Sequence, residues 1–218
     1  MKILDNGIAV IEGDTHISKW VEEERRLDHD VYSIGLILPH IQEGDWVVDA
    51  GAFIGDHTIA YLKAVGPGGK VFAFEPNPAA YSCLCHNCPQ AVTFNAGLSD
   101  HDFLADYHFD KNAGASRIGS GTGSVSLSTL DSLNLRRLDF FKLDIEGCEY
   151  EALVGAHQTI SQHKPVLWVE VNESALAGRK KTPSDLHWLI EKEFRYDVTC
   201  YPEDRGPQYD ILCTPSQT

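Results

Sequence analysis

Positive charge is scarce in this 218-residue chain: 18 lysines and arginines stand against 32 aspartates and glutamates, a formal net charge of −14. Such a chain lacks the broad basic face that neutralises phosphates, which excludes general, sequence-independent nucleic-acid binding. The basic cluster Arg179-Lys180-Lys181 reads first as a solvated loop and second as a local seat for one phosphate or sugar acid. Long apolar runs are also missing, so no segment is predicted to span a membrane. The opening residues, MKILDNGIAVIEGD, carry charges throughout and do not resemble a signal peptide, and the expected location is cytoplasmic. There the six cysteines (83, 85, 88, 148, 200 and 213) are expected as reduced thiols rather than a disulfide framework. Internal repeats and low-complexity segments are absent, and nothing points to an oligomeric state. What is abundant is apolar content, 43% of residues, enough for a core that needs no disulfide or metal staple. The length favours one domain, 1–218, comprising an N-terminal extension over 1–44 and a core over 45–218.

Residues 1–13 read as a hairpin turning at Asn6-Gly7, and 15–40 as a helix capped by Thr15. From Trp46 the pattern alternates. Strands are predicted at 46–48, 70–74, 92–95, 139–143 and 166–171, separated by helices at 56–65, 78–88, 147–161 and 183–194. Thr182, Pro183 and Asp185 form a start signal for the last helix. Apolar strands alternating with helices predict a parallel sheet with right-handed crossovers and helices on both faces. The final segments, YDVTCYP and YDILCTP, add an antiparallel pair. Residues 103–128 interrupt the alternation and read as an inserted hairpin or substrate loop, whose Gly/Ser-rich part, 112–124, is expected to act as a lid.

The most informative stretch is VVDAGAFIGDHT, residues 47–58, where a strand ends at Asp49 and glycines allow a tight turn into a helix. In open α/β sheets ligands bind at the carboxyl ends of strands, where the strand order reverses. A dinucleotide fingerprint, G-x-G-x-x-G, counted from Gly51 would need glycine at positions that hold Phe53 and Asp56. Carboxylates at 49 and 56 would also repel a pyrophosphate. S-adenosylmethionine carries a cationic sulfonium and an ammonium and no phosphate, so an acidic turn suits it. Glu75, at the tip of the second strand, is placed to accept the ribose hydroxyls of either cofactor. The missing glycines, rather than Glu75, separate the two.

The strings DAGAFIGDHT, FAFEPNP and TFNAGLSD, and above all KLDIEGCE at 142–149, followed by Ala152-Leu153-x-Gly155-Ala156, resemble the FkbM-type S-adenosylmethionine-dependent methyltransferases over roughly 45–175. The resemblance implies a Rossmann-like class I methyltransferase fold with a mostly parallel seven-stranded sheet, and methyl transfer to oxygen. It implies that Asp49, Gly51, Ala52, Phe53 and Gly55 surround the methionine part of the cofactor and Glu75 its ribose. Pro76, Asn77, Gly97, Leu98 and Ser99 would then flank the adenine, with Thr58 and Asn95 as further contacts.

Methyl transfer to a hydroxyl requires alignment, removal of a proton and exclusion of water. Asp144, ending a buried strand, and Glu146 are the candidate catalytic carboxylates, and Asp144 also a cofactor contact. Glu146 and Glu149 are expected on one helix face, although acidic residues also favour a helix start through its dipole. Lys142 is read as structural, paired with an acid. Asp144, Glu170 and Asn172 would offer oxygen ligands to Mg²⁺, yet the same groups equally suit hydrogen bonds to substrate hydroxyls. The crowded Cys83, Cys85, His86 and Cys88 lack paired zinc spacing and read as structural. His57 opens the first helix beside the cofactor turn, and His108 is a candidate base that nothing positions. The expected partner is a small-molecule or glycan hydroxyl. The competing functions are a nicotinamide-dependent oxidoreductase and a cofactor-binding module without catalysis.

Overall fold

The computed structural model describes residues 1–108, 110–119, 121, 123–202 and 207–216. Strands β1 (Lys2–Ile3) and β2 (Ala9–Val10) form the expected hairpin, in which Gly7 N–H donates to Leu4 O at 3.0 Å. The segment read as one helix over 15–40 divides into α1 (Ile17–Glu24) and α2 (Val31–Ile37). Arg25 turns left-handed, φ 61°, and closes on Val21 O, which stops the first helix. Asp30 then caps the second by accepting from Ser33 N–H at 3.1 Å. Thr15 is not the cap of α1: Asp14 takes the Ser18 N–H at 2.8 Å instead.

The alternating part follows as β3 (Trp46–Ala50), α3 (Thr58–Val65), β4 (Lys70–Phe74), α4 (Pro78–Asn87), β5 (Val92–Phe94) and β6 (Gly97–Leu98). The insertion holds β7 (Phe103–His108), β8 (Arg117–Ile118) and β9 (Gly123–Ser128), which with β6 make a separate four-stranded sheet. Next come β10 (Phe140–Leu143), α5 (Glu149–Val154), α6 (His157–His163), β11 (Val166–Asn172), α7 (Glu173–Gly178) and α8 (Pro183–Trp188). Strands β12 (Tyr196–Pro202) and β13 (Gln208–Pro215) close the chain.

The helix read over 147–161 is two, because Asp131 reaches in from a distant loop and accepts from Gln158 and Thr159 N–H at 2.9 and 2.8 Å, starting α6 afresh. The helix read over 183–194 begins with the expected Thr182–Asp185 capping box and passes into a π-helical segment at Leu189–Glu193. Helix α7, which the pattern does not announce, is capped by Asn172.

The main sheet has seven strands in the order β5-β4-β3-β10-β11-β13-β12. All neighbours are parallel except β13, which runs antiparallel to both β11 and β12. Side chains alternate between faces. Val48, Phe141, Leu143, Phe74 and Val169 pack with Leu153, Ile160 and Ile190 from the helices of one face. Val47, Phe140, Val71 and Trp168 pack with Ile37, Tyr61 and Val65 on the other. The N-terminal hairpin joins this body through α4, where the Asn87 side chain bonds both Ala9 N–H and Ala9 O at 2.8 and 2.9 Å. The order of the strands reverses between β3 and β10, and their carboxyl ends open onto the same side.

Candidate active site

A cleft of about 780 Å³ lies over that reversal. Its floor begins at the end of β3. Asp49 is fully buried; its Oδ2 accepts from Thr58 Oγ1 at 2.6 Å, and its Oδ1 faces Lys142 Nζ at 3.6 Å. Gly51 follows at φ +79°, and a Cβ there would stand 1.9 Å from the Asp144 carbonyl oxygen. Glycine is therefore required where the β3 turn passes the end of β10. Gly55 serves packing instead, since a Cβ would meet Cys88 Sγ at 2.6 Å. Phe53 completes the turn with φ 45° and lines the cleft.

Glu75 is 5% exposed and lines the same cleft. Its Oε2 accepts from Phe53 N–H at 3.0 Å and its Oε1 from Asn77 N–H at 2.6 Å, which aims the carboxylate while leaving lone pairs for a diol. Burial pushes this carboxyl up to about 7 despite the two amide donors. Asn95 braces the turn from behind, donating to the Glu75 and Pro76 carbonyls at 2.9 and 3.2 Å.

At the end of β10, Lys142 Nζ sits 3.3 Å from Asp144 Oδ2 and donates to Gly51 O at 3.1 Å. Burial alone would lower this ammonium, but the charges of Asp144, Asp49 and Asp56 hold it above its ordinary range. The residue read as structural is thus the clip that ties the β3 turn to β10. Glu146 does not share a helix face with Glu149. It precedes α5 in a left-handed conformation, φ 56°, which turns it into the cleft. Desolvation, then the charges of Asp144 and Glu149, push its carboxyl up to about 8. Glu149 is fully buried and folds back on the loop, its Oε1 accepting from Ile145 and Gly147 N–H at 3.1 Å each. Burial raises it to about 7.

Of the residues predicted for the site, Gly51, Phe53, Glu75, Pro76, Gly97, Leu98, Asp144 and Glu146 line the cleft. Asp49, Ala52, Gly55, Thr58, Asn77, Asn95 and Ser99 stand behind that lining. Asn77 caps α4 through Ala79 N–H at 3.0 Å, and Ser99 N–H is bound to Ser128 O at 2.9 Å. His57 joins Asp30 Oδ2 at 3.2 Å and Tyr61 OH at 3.1 Å. Burial would lower it, but the bond to Asp30 and the charge of Asp56 raise it. His108 is 3.9 Å from Asp110, away from the cleft lining. In the basic cluster, Arg179 pairs with Glu151 at 3.3 Å and Lys181 lies 3.7 Å over the Tyr150 ring.

The cysteines near α4 diverge: Cys85 Sγ meets Thr93 Oγ1 at 3.4 Å, Cys88 Sγ meets Gly55 O at 3.6 Å, and His86 meets Gly7 O at 2.9 Å. All six cysteines are free thiols. Among the described residues no group of three His, Cys, Asp or Glu is placed to hold a metal ion, and no helix is long and apolar enough to cross a membrane.

Much of the rest of the cleft comes from residues the motifs did not single out. His16, Trp20, His29, Asp30 and Tyr32 arrive from the N-terminal extension, and Arg117 from the insertion. Asp14 couples the two segments, accepting from Ser18 N–H at 2.8 Å and from Ala113 N–H at 2.9 Å. Asn112, Ala113 and Gly114, from the stretch read as a lid, line the cleft, while Ser120 and Thr122 of that stretch lie outside the described residues. His29 stands 3.8 Å from Asp56 and 5.6 Å, edge-on, from Trp20. No local pattern marks these side chains in the sequence, because only the path of the chain brings them over the sheet.

The donor set fits a cationic ligand. Carboxyl groups of Asp30, Asp56, Glu75, Asp144, Glu146 and Glu170 face the cleft, against the cations Lys142, already engaged, and Arg117. Acidic side chains outnumber basic ones in this lining, which suits a sulfonium and an ammonium better than a pyrophosphate.

Residues 49–196 match the methyltransferase FkbM domain family. The hexuronic acid methyltransferase AglP of Haloferax volcanii is 31% identical over 150 residues, a match covering 62% of this chain and 59% of the relative. The matched region thus takes in less than two thirds of that relative's length. The solved structure of methyltransferase FkbM from Methylobacillus flagellatus superposes with a TM-score of 0.59 at 18% identity, over 89% of this chain and 50% of that one. A SAM-dependent methyltransferase from Aquifex aeolicus superposes with a TM-score of 0.52 at 12% identity, over 93% and 100% of the two chains. These likenesses speak to fold, and the fold they share is the Rossmann-like α/β architecture of class I methyltransferases. With the family match running from the end of β3 to the start of β12, over more than half its length, the chain belongs to the FkbM methyltransferase domain family.

Proposed function

We propose that the protein transfers a methyl group from S-adenosylmethionine to a hydroxyl of a sugar or glycan. The observation that carries this reading is Glu75, buried at the tip of β4 with one backbone N–H on each oxygen. A carboxylate so aimed, in a cleft of like charges, suits a ribose diol on a cationic cofactor. Bound there, S-adenosylmethionine supplies an electrophilic methyl group. Glu75 would hold its ribose, the Gly51 turn and Asp144 its methionine end, and Pro76, Gly97 and Leu98 its adenine. Lys142 keeps the turn and Asp144 in place. Glu146, turned into the cleft beside Asp144, takes the acceptor's hydroxyl proton at a carboxylate oxygen. The segments around Trp20 and Ala113 cover the reacting groups and exclude water. A sugar acceptor is supported by the Haloferax volcanii relative, named a hexuronic acid methyltransferase.

Calorimetric titration with S-adenosylhomocysteine, with NADH as the control ligand, tests the reading. Saturable binding of S-adenosylhomocysteine alone is expected. Glu75→Ala should weaken it about 10- to 100-fold, the loss of hydrogen bonds to a charged group. Binding of NADH instead, or an affinity indifferent to Glu75, would overturn it.

A further inference from the structure

The ends of β11 and β13 bring three polar side chains to the cleft that the transfer reading leaves without work: Glu170, Asn172 and Gln208. Two apart on β11, Glu170 and Asn172 share one face of the strand, and the antiparallel register sets Gln208 directly opposite Asn172. Gln208 Nε2 donates to Glu170 Oε1. The other carboxyl oxygen, Oε2, is buried and has no hydrogen-bond partner among the described residues, in a residue only 9% exposed. Asn172 Oδ1 is committed to Ala175 N–H at 3.1 Å, so its amide N–H groups are what it can offer a ligand. An unmatched buried carboxyl oxygen is costly, and a ligand hydroxyl relieves that cost.

The character of the groups narrows the ligand. Burial, and next the charges of Asp144, Glu146 and Glu149, hold Glu170 well above the usual carboxylate range. Its unpaired oxygen is an acceptor site beside the Asn172 amide donors. The neighbouring carboxyl groups disfavour an anion, and an ammonium offers the Asn172 amide donors no acceptor. A hydroxyl, itself donor and acceptor, satisfies the set. Elsewhere on the same cleft Trp20 and Tyr32 remain 44% and 60% exposed. Exposed aromatic rings and fixed polar groups on one cleft offer a ligand an apolar face and a polar edge.

We infer that Glu170, Gln208 and Asn172 form the acceptor subsite, holding neighbouring hydroxyls of a polyhydroxylated ring whose C–H face lies on Trp20 and Tyr32. The assignment rests on the transfer reading for the word acceptor, and on the geometry alone for the binding.

The test is calorimetry on the full chain, with and without saturating S-adenosylhomocysteine. The probes are methyl β-glucopyranoside, methyl β-glucuronide and, as a ring without hydroxyls, cyclohexyl methyl ether. Binding of at least one glycoside and not of the ether is expected. Gln208→Ala and Glu170→Leu should each weaken it at least tenfold, with S-adenosylhomocysteine affinity within twofold of wild type and Glu170→Gln retaining part of the binding. If no glycoside binds in either condition, or if both variants bind it as wild type does, the subsite is refuted. Failure of S-adenosylhomocysteine to bind while a glycoside still does would refute the transfer reading and leave the subsite standing.

Discussion

The part of the cleft made by the ends of β3, β4 and β10 is held by bonds between neighbouring strands of one sheet. Gly51 and Ala52 N–H both bond Phe74 O at 3.1 and 3.0 Å, Glu75 is gripped by backbone amides, and Lys142 joins the two turns. The part from the N-terminal extension and the insertion lies outside that sheet and is joined segment to segment, as where Asp14 holds Ala113, 99 residues away. Its side chains include Trp20 and Tyr32, which stay largely exposed. The first region is preorganised by strand register and turn sterics; the second depends on where two peripheral segments settle. The cleft thereby joins a floor fixed by the sheet to a cover shaped by the peripheral segments.

The largest effect is expected at Lys142. Lys142→Met leaves Asp49 buried without its cationic partner and should destabilise the fold by about 3–5 kcal/mol, as removal of one partner of a buried pair does. Urea unfolding followed by circular dichroism measures this, and a loss below about 1 kcal/mol would mean the two turns hold without the clip. Glu146→Gln should lower methyl transfer about a hundredfold while leaving the fold intact. Because Glu146 must lose its proton to act, wild-type kcat/KM should rise with pH up to about 8, and the rise should vanish in the variant. A limb that persists in Glu146→Gln would assign the base elsewhere.

A smaller effect falls on the pH dependence of stability. Glu75, Glu146 and Glu149 have folded-state values of about 7, 8 and 7, above the 4.5 of a free carboxyl. The folded protein binds these protons more tightly, so their stabilising contribution is complete below pH 4.5 and is lost as pH rises to about 8. Thermal unfolding should therefore show Tm falling from pH 5 to 8, and Glu149→Gln should flatten that fall by about 2–4 °C. An identical slope would show that Glu149 does not carry it. The least effect is expected at the cover: Trp20→Ala should change stability by about 0.5 kcal/mol or less, yet weaken glycoside binding about 3- to 10-fold through lost stacking. Unaltered glycoside affinity would remove Trp20 from the acceptor wall.

Strand–helix alternation and the final antiparallel pair were legible, because apolar periodicity and turn residues act within a few positions. The same holds for the Asp49–Gly55 turn, for Glu75 and for Asp144. The break within 147–161 was not, since Asp131 caps α6 from a loop 27 residues upstream and no window of sequence contains both partners. The break within 15–40 is local, set by left-handed Arg25 and the Asp30 cap, but the apolar pattern runs across it. The direction of Glu146 was hidden as well: spacing alone put it on a helix face with Glu149, whereas a left-handed residue before α5 turns it into the cleft.

By itself the sequence determined the doubly wound core, the acidic glycine turn and the carboxylate at the tip of β4, all of which follow from local sterics and the side-chain period. Tertiary structure alone decided that Thr58, Asn95 and Ser99 stand behind the cleft, that Lys142 bridges Asp49 and Asp144, and that Glu170 meets Gln208. It also decided that Trp20, Tyr32 and Arg117 share the site with Glu75. These placements depend on strand register and on the docking of segments far apart in the chain, and such pairings form only when the whole core is buried at once.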